Sequence, residues 1–204
     1  MLEHFRKIVN VANVLQSHHI TFHPLSPPSF RRADTRANDW ERTHFGYFAQ
    51  VLKENLESLE QMSTGPLICV ENHEFGAITR AVLEKLLCKS RRIALTYDIA
   101  KSMTNTQTAD PEQQRFLEIH ATFVHEIHLH DMDESHSHLV PGEGTIDFRR
   151  FAELLCEKTP WITIEVRPVE LAHRGKKWLE EFRVATCHPT EHARSQGSDP
   201  LSIY

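Results

Sequence analysis

The segment of residues 125–144, HEIHLHDMDESHSHLVPGEG, is rich in side chains that bind metal ions. Five of its first fourteen residues are histidines, and four acids stand among them. Imidazole and carboxylate groups bind divalent cations, but histidine-rich tracts also occur in solvated loops and tails. The face of the strand or helix on which each side chain lies therefore decides between a metal site and a solvated loop.

The same combination of residue types recurs at the ends of other short apolar segments. Alternate residues of a β-strand point to opposite faces. One face of five predicted strands is uniformly apolar, whereas the other carries a small or polar residue followed two positions later by a histidine or an acid. These pairs are Thr21 and His23, Cys69 and Glu71, Thr96 and Asp98, Glu126 and His128, and Thr163 and Glu165.

The five strand-end residues favour a shared cation over separate capping roles. A single polar residue at the end of a strand usually caps or anchors a loop. Five in register on one face fit that explanation poorly, because converging carboxylates and imidazoles repel one another unless a cation neutralises them. By the same assignment of faces, His125 points toward the helices. His130 and Asp131 lie at the rim, where substrate-binding and supporting roles are both open.

The elements that position these residues alternate strictly along the chain. Apolar periodicity predicts strands at 18–24, 66–72, 92–98, 124–130 and 161–166, and helices at 2–17, 40–62, 75–88, 111–123, 146–158 and 174–182. Asp39 is the predicted cap of the second helix, after a polar loop over 26–39. The fold class is thus α/β, and the polar inner face favours a parallel (β/α) TIM-type barrel over an open sheet, which is apolar on both faces. The barrel domain is predicted over 1–182 and a C-terminal tail over 183–204.

Composition narrows the class of protein. The 204 residues suit one domain, and the formal charge of −5 gives no general attraction to nucleic acid or to anionic membranes. No run of 18 apolar residues and no secretory leader is visible, so we expect a soluble, cytoplasmic protein. Cys69, Cys88 and Cys156 lie in apolar segments, which predicts reduced and buried thiols.

Six motifs give the chain a family resemblance. They are 20-ITFHP-24, 68-ICVEN-72, 95-LTYD-98, 128-HLHD-131, 138-HLVPGEGTIDF-148 and 164-IEV-166. Together they resemble the xylose isomerase-like TIM barrel superfamily, which holds sugar and sugar-phosphate isomerases and epimerases together with endonuclease IV-like enzymes. The resemblance covers the last five of eight strand–helix units. A full barrel takes about 250 residues, so the resemblance implies an incomplete one.

The resemblance implies a set of site residues. In the epimerases of this superfamily one divalent metal ion is held at positions that match Glu71, Asp98, His128 and Glu165. The two glutamates there also transfer protons, so Glu71 and Glu165 are the implied catalytic residues. Oxygen and imidazole ligands suit Mn²⁺, Mg²⁺, Co²⁺, Fe²⁺ or Zn²⁺ and discriminate poorly among them.

Further residues are candidates for additional metal or substrate contacts, and these are His23, Lys101, His138, Glu143 and Arg167. His23 and His138 match ligands of additional metal ions in the endonucleases. Lys101 stands where family members carry a histidine that contacts metal or substrate. His136 stands where the endonucleases have an aspartate.

Three functions are compatible with these residues. The favoured one is a metal-dependent isomerase or epimerase of a small sugar or sugar phosphate, with proton transfer through an ene-diolate. The alternatives are an endonuclease IV-like or UV-damage endonuclease-like phosphodiesterase and a non-catalytic barrel remnant. The basic runs 29-SFRR-32 and 174-RGKK-177 are interpreted as solvated surface, so nucleic acid is the less favoured partner. Because five curved strands leave two unpaired edges, we also expect a homo-oligomer.

Overall fold

The computed structural model describes residues 2–24, 35–73, 75–103, 111–156 and 161–187. The chain divides into two compact units. The first comprises Met1–Leu129 with Pro160–Thr163, and the second His130–Thr159 with Ile164–Tyr204.

A five-stranded sheet forms the centre of the first unit. Its strands are β1 (His19–Phe22), β2 (Leu67–Glu71), β3 (Ile93–Asp98), β4 (Val124–Leu129) and β7 (Trp161–Ile164), and this is also their order in the sheet. The first four pair in parallel. The connecting helices are α1 (Leu2–Leu15), α2 (Thr35–Met62), α3 (Ala77–Leu87) and α4 (Pro111–Ile119). This is the parallel (β/α) barrel that the alternation and the strand faces predict, and it is incomplete as the family resemblance implies.

The predicted apolar face of the sheet lies in the core. Ile68, Leu95 and Ile127 are fully buried on it. Helix α3 buries a stripe of leucine and valine side chains spaced three or four residues apart, as expected for a helix with one apolar face. Each such side chain contributes roughly 1.5–3 kcal/mol when it leaves water. Packing on this face leaves the other face of the strands for polar side chains.

The described residues of the second unit form a hairpin and two helices. The hairpin pairs β5 (Asp131–Met132) with β6 (Ser137–Leu139) in antiparallel fashion, and the sequence analysis did not predict it. The helices are α5 (Ala152–Cys156), preceded by a 3₁₀ turn at Phe148–Phe151, and α6 (Val169–Cys187). No helix among the described residues has an apolar stretch long enough to cross a membrane.

Two helix boundaries differ from the prediction. Helix α2 begins at Thr35, so Asp39 lies inside it and is not its cap. Helix α6 extends from Val169 to Cys187, so the first five residues of the predicted tail are helical. Residues 25–34 of the predicted loop and 188–204 of the tail lie outside the described residues.

The cysteine prediction is correct only for Cys69, which is buried and free. Cys88 is exposed at the end of α3. Cys156 forms a disulfide with Cys187, with a Cα–Cα distance of 5.6 Å. The two residues are 31 positions apart, and their pairing depends on how α5 packs on α6, which neither local segment encodes. A hydrogen bond from Arg183 Nε to the Leu155 carbonyl oxygen, 2.8 Å long, joins the same two helices.

Candidate metal centre

A polar layer centred on the buried Glu126 lines the inner face of the sheet. The Thr21 and Thr163 hydroxyls donate hydrogen bonds of 2.5 Å to its carboxylate, one to each oxygen. Thr96 donates a third at 3.2 Å, and its hydroxyl lies 2.8 Å from that of Thr21. These side chains come from four strands and share the face that the alternation predicts.

Hydrogen bonding keeps Glu126 ionised in this layer. Burial by itself raises the pKa of Glu126, but hydrogen bonds from His128, Thr163 and Thr21 outweigh it, so the pKa lies well below its ordinary value. In the same layer, burial and the charge of Glu126 raise the pKa of the Cys69 thiol to about 12. The layer therefore holds a carboxylate anion beside a protonated thiol.

Two positions further along the strands, Glu71, Asp98 and His128 converge. Their ligand atoms all lie within 4.8 Å of one another, and all three residues are buried. The parallel register places Asp98 beside His128 on adjacent strands. Two carboxylates and one imidazole at this spacing fit a divalent cation. The structure thus brings together three of the four predicted ligands.

His128 lies between two carboxylates. Its Nδ1 is 3.6 Å from Glu71 Oε2, and its Nε2 is 3.5 Å from Glu126 Oε2. A histidine that binds a metal usually donates its other ring N–H to a carboxylate, which fixes the tautomer. The charged ring directs one N–H at each carboxylate, whereas a neutral ring with its hydrogen on Nε2 would offer the Nδ1 lone pair to a metal ion. The sequence analysis did not assign this supporting role to Glu126, although its position two residues before His128 on the same strand places both on one face.

Lys101 supplies a positive charge to the two carboxylates. The Asp98 side chain accepts a 3.0 Å hydrogen bond from the Lys101 amide and so holds the 3₁₀ turn after β3. The ammonium then pairs with Asp98 Oδ2 at 3.2 Å and with Glu71. Burial by itself lowers the pKa of Lys101, but Glu71 and Asp98 raise it above its ordinary value. Likewise, burial raises the pKa of Glu71, and hydrogen bonds from His128 and Lys101 bring it below its ordinary value.

His23, the predicted residue at the end of the first strand, also contacts this group. Its Nε2 lies 3.1 Å from Glu71 Oε2, and its side chain is about half exposed. The ring packs against that of His73 with a centroid distance of 5.2 Å. An imidazole at this place can hold a proton next to Glu71 or bind an ion with it.

Glu165 and His138 meet in the second unit, together with His130. The Nε2 atoms of His138 and His130 lie 3.8 and 3.9 Å from Glu165 Oε2. The two imidazole rings stack with a centroid distance of 4.3 Å and an interplanar angle of 14°. Ligand atoms of the three residues all lie within 4.8 Å of one another. The structure therefore groups the predicted fourth ligand, Glu165, with two histidines of its own unit.

Asp131 organises the loop that follows the hairpin. Its carboxylate accepts hydrogen bonds from the amides of Gly142, Gly144 and Ile146 at 2.9, 3.0 and 3.1 Å. A side chain at Gly144 would collide with this carboxylate, and Gly142 has a φ of +87° that favours glycine. The aspartate of 128-HLHD-131 and the glycines of 141-PGEG-144 are thus two halves of one structural unit. This assigns Asp131 a supporting role.

The remaining candidates lie at the surface. Glu143 pairs with Arg174 across the second unit, and both are exposed. Arg167 is exposed before a cis proline. His136 is exposed, and its Nδ1 lies 3.2 Å from Asp133 Oδ1. Glu143, Arg167 and His136 therefore belong to neither of the two groups of metal-binding side chains described above.

A family model described as "Xylose isomerase-like TIM barrel" matches residues 1–184. The chain belongs to this family. The xylose isomerase-like superfamily includes sugar isomerases and epimerases as well as endonuclease IV-like enzymes. The identification agrees with the parallel strands and with side chains that meet at their carboxyl ends. No curated protein matches the chain.

Two solved structures share this xylose isomerase-like fold. The TTHB071 protein from Thermus thermophilus, after soaking with ZnCl₂, is 22% identical and aligns with a TM-score of 0.64 over 89% of this chain and 67% of that one. A xylose isomerase domain protein from Planctomyces limnophilus is 14% identical, with a TM-score of 0.62 over 91% and 65% of the two chains. The chain thus spans about two thirds of the length of each.

Proposed function

We propose that the protein is a divalent-metal-dependent isomerase or epimerase of a small sugar or sugar phosphate. The observation that carries this proposal is the buried convergence of Glu71, Asp98 and His128 at the carboxyl ends of three adjacent parallel strands. Chemistry in (β/α) barrels collects at this end of the strands. Family membership supports the reaction class and leaves the substrate open.

The donor set supports a metal ion at this place. Glu71, Asp98 and His128 would hold it, and the soaking of one relative with ZnCl₂ is in keeping with a divalent ion. Such an ion would polarise a substrate carbonyl and acidify the neighbouring C–H bond. Oxygen and imidazole ligands admit Mn²⁺, Mg²⁺, Co²⁺, Fe²⁺ or Zn²⁺.

Glu71 is the proposed proton-transfer residue of the first unit. Its lowered pKa keeps it ionised, as a base must be to take a proton from carbon. Lys101 lies against the same carboxylate and can donate a hydrogen bond to a substrate oxygen when it moves away. Glu165 is the proposed second base, in keeping with the family resemblance.

A phosphodiesterase is the second candidate, because further imidazole side chains of this protein lie beside the two proposed catalytic glutamates. His23 lies 3.1 Å from Glu71, and His130 and His138 both face Glu165. Extra imidazoles of this kind can hold the several ions with which metal-dependent nucleases activate water. The third candidate, a non-catalytic remnant, draws support from Lys101, whose ammonium already neutralises two of the proposed ligands.

Proton exchange in D₂O separates these functions. The purified chain is incubated with each divalent ion and a panel of ketoses and ketose phosphates, and deuterium incorporation next to the carbonyl is followed by NMR. We expect exchange with at least one member, and we expect Glu71→Gln to slow it by about 10²- to 10⁴-fold, as for loss of a general base. Glu112→Gln on the surface of α4 is the matched control.

Three results would count against the isomerase. Equal exchange rates in Glu71→Gln and the parent would remove the proposed base. Absence of exchange with every ion and sugar, together with cleavage of DNA that contains abasic sites, would favour the phosphodiesterase. Absence of both activities would favour the non-catalytic remnant.

A further inference from the structure

Three imidazole side chains gather at the amino end of the sheet, opposite the carboxyl ends at which the proposed metal ligands meet. His18 and His19 lie at the start of β1, and His125 is the second residue of β4. The rings of His19 and His125 pack edge to face, with a centroid distance of 5.3 Å and an interplanar angle of 74°. Strands β1 and β4 are not neighbours in the sheet, so side chains alone join them here.

A bulge in β4 interrupts the alternation at His125. In the pairing with β3, Leu95 lies opposite Val124 and Thr96 opposite Glu126. His125 is therefore an additional residue on its strand. Bulges redirect a side chain and are common beside functional sites. The assignment of His125 to the helix side assumes unbroken alternation, which does not hold at this residue.

Each of the two packed rings offers a buried nitrogen to a ligand. Among the described residues, His19 Nδ1 and His125 Nε2 have no hydrogen-bond partner. A buried polar atom without a partner costs free energy, and an ion or a water molecule that binds it removes that cost. Two such nitrogens on rings in contact indicate one shared ligand.

Glu126 prepares His19 to bind an ion. The Nε2 atom of His19 lies 3.2 Å from Glu126 Oε1, and the lowered pKa of Glu126 keeps this carboxyl ionised. A neutral ring with its hydrogen on Nε2 turns that hydrogen toward the carboxylate and keeps the Nδ1 lone pair free, as is usual for a histidine that binds metal. Burial and the neighbouring His19 lower the pKa of His125, so its ring is uncharged at neutral pH and carries a lone pair.

The spacing of the two rings suits a single ion. Two imidazoles whose nitrogens are about 2.1 Å from one ion place their ring centroids roughly 5.2 Å apart at a tetrahedral angle. The exposed His18 lies close enough for its charge to lower the pKa of His125 as well, so it can supply a third nitrogen. Trp161 packs against His18 and His19 at centroid distances of 5.0 and 5.7 Å, so an apolar ring borders the site.

We propose that His19 and His125, with His18 as a third ligand, form a cation site at the amino end of the sheet that binds Zn²⁺ or Cu²⁺. Imidazole ligands suit these ions, whereas Mg²⁺ and Mn²⁺ prefer oxygen. An ion held here ties the edge strand β1 to β4 and stabilises the folded first unit. The site goes beyond the function proposed above and uses none of its metal ligands or bases.

The test uses the full chain, stripped of metal and titrated with Zn²⁺ by calorimetry. His125→Ala removes one ligand, and His4→Ala is the matched control because it removes an exposed histidine of the same unit outside the site. Asp98→Asn reports separately on the ligands at the carboxyl ends. Circular dichroism establishes that each variant is folded. NMR of the imidazole nitrogens identifies the ligand atoms in the parent chain without any substitution.

We expect His125→Ala to lose one equivalent of Zn²⁺, with affinity at that site lowered by at least about 100-fold, since even loss of a supporting partner costs about 10- to 100-fold. His4→Ala should match the parent, and Asp98→Asn should retain this equivalent. In the parent, Zn²⁺ should shift the resonances of His19 Nδ1 and His125 Nε2. These resonances decide the question if His125→Ala does not fold.

Unchanged Zn²⁺ binding in a folded His125→Ala would overturn the proposal. So would nitrogen resonances of His19 and His125 that Zn²⁺ leaves unmoved, or a parent that binds no ion. If only an Asp98-dependent ion is found, the site at the amino end is refuted and the metal requirement of the proposed function stands.

Discussion

Replacement of Lys101 by methionine should produce opposite effects on folding and on metal binding. The ammonium of Lys101 pairs with Glu71 and Asp98, which are 1% and 0% exposed. Methionine keeps the apolar stem and removes the charge. Without a metal, the two carboxylates then face each other without a permanent cation, so the free energy of unfolding should fall. With a metal, the ion no longer competes with the ammonium, so its affinity should rise.

The size of both effects follows from the burial of the three side chains. Removal of one partner from a buried ion pair costs about 3–5 kcal/mol. The Lys101 side chain is 25% exposed, which places the loss at or below the lower end of this range, about 2–3 kcal/mol. An ion that replaces the ammonium recovers the same amount. At 1.4 kcal/mol per factor of ten, metal affinity should rise by about 30- to 150-fold.

Urea unfolding with and without EDTA measures the first effect, and calorimetric titration with Mn²⁺ measures the second. Lys177→Met is the matched control, because Lys177 makes only an exposed pair with Glu181 at 3.7 Å on α6. The reasoning fails if Lys101→Met leaves metal-free stability equal to that of the control. It also fails if the variant binds Mn²⁺ more weakly, since the lysine would then assist the ion instead of competing with it.

Four other outcomes are expected. Asp98→Asn should lower divalent-ion affinity at least tenfold while the metal-free chain stays folded, and equal metal content by elemental analysis would contradict this. The pKa of Glu126 is lower in the folded chain than in the unfolded chain, so the folded protein loses stability as the pH falls below about 4. Glu126→Gln should make this loss smaller. Acid-unfolding curves of the variant and the parent that run parallel would contradict this. Reduction of the Cys156–Cys187 disulfide should destabilise the second unit by roughly 3–4 kcal/mol, because the bond closes a loop of 31 residues. Urea unfolding midpoints with and without dithiothreitol measure this loss. The control Cys88→Ser should leave the midpoint unchanged. Sedimentation at micromolar concentration should find a homo-oligomer, and a monodisperse monomer that keeps its metal would refute the edge-strand argument.

The strand faces could be predicted from the sequence because their period is short and local. Ile68, Leu95 and Ile127 alternate with side chains of the opposite face, and a shift by one residue would reverse every assignment. Parallel pairing then brings Glu71, Asp98 and His128 to one end of the sheet. The prediction needed only periodicity and the direction of the strands.

Features that depend on packing between distant segments could not be predicted in this way. The disulfide of Cys156 depends on the contact of α5 with α6. The role of Asp131 depends on three amides that lie 11 to 15 residues further along the chain. The start of α2 at Thr35 shows a different limit, since a polar segment with alanine and few breakers can continue a helix whose apolar stripe begins later.

Lys101 stands where family members carry a histidine, and the charges on the inner face of the sheet suggest a role for this lysine. From sequence this replacement is the loss of a metal or substrate contact. In the structure, Glu71, Asp98 and Glu126 place three carboxylates in the buried layers, and Lys101 returns one positive charge. The remaining two negative charges equal the charge of one divalent ion. Ring nitrogens of His128 and His23 lie 3.6 and 3.1 Å from Glu71 Oε2, but a free imidazole is mostly uncharged above about pH 6.5. The charge balance of this face therefore favours an ion together with the lysine, and it makes metal affinity at neutral pH the property that Lys101 controls most directly.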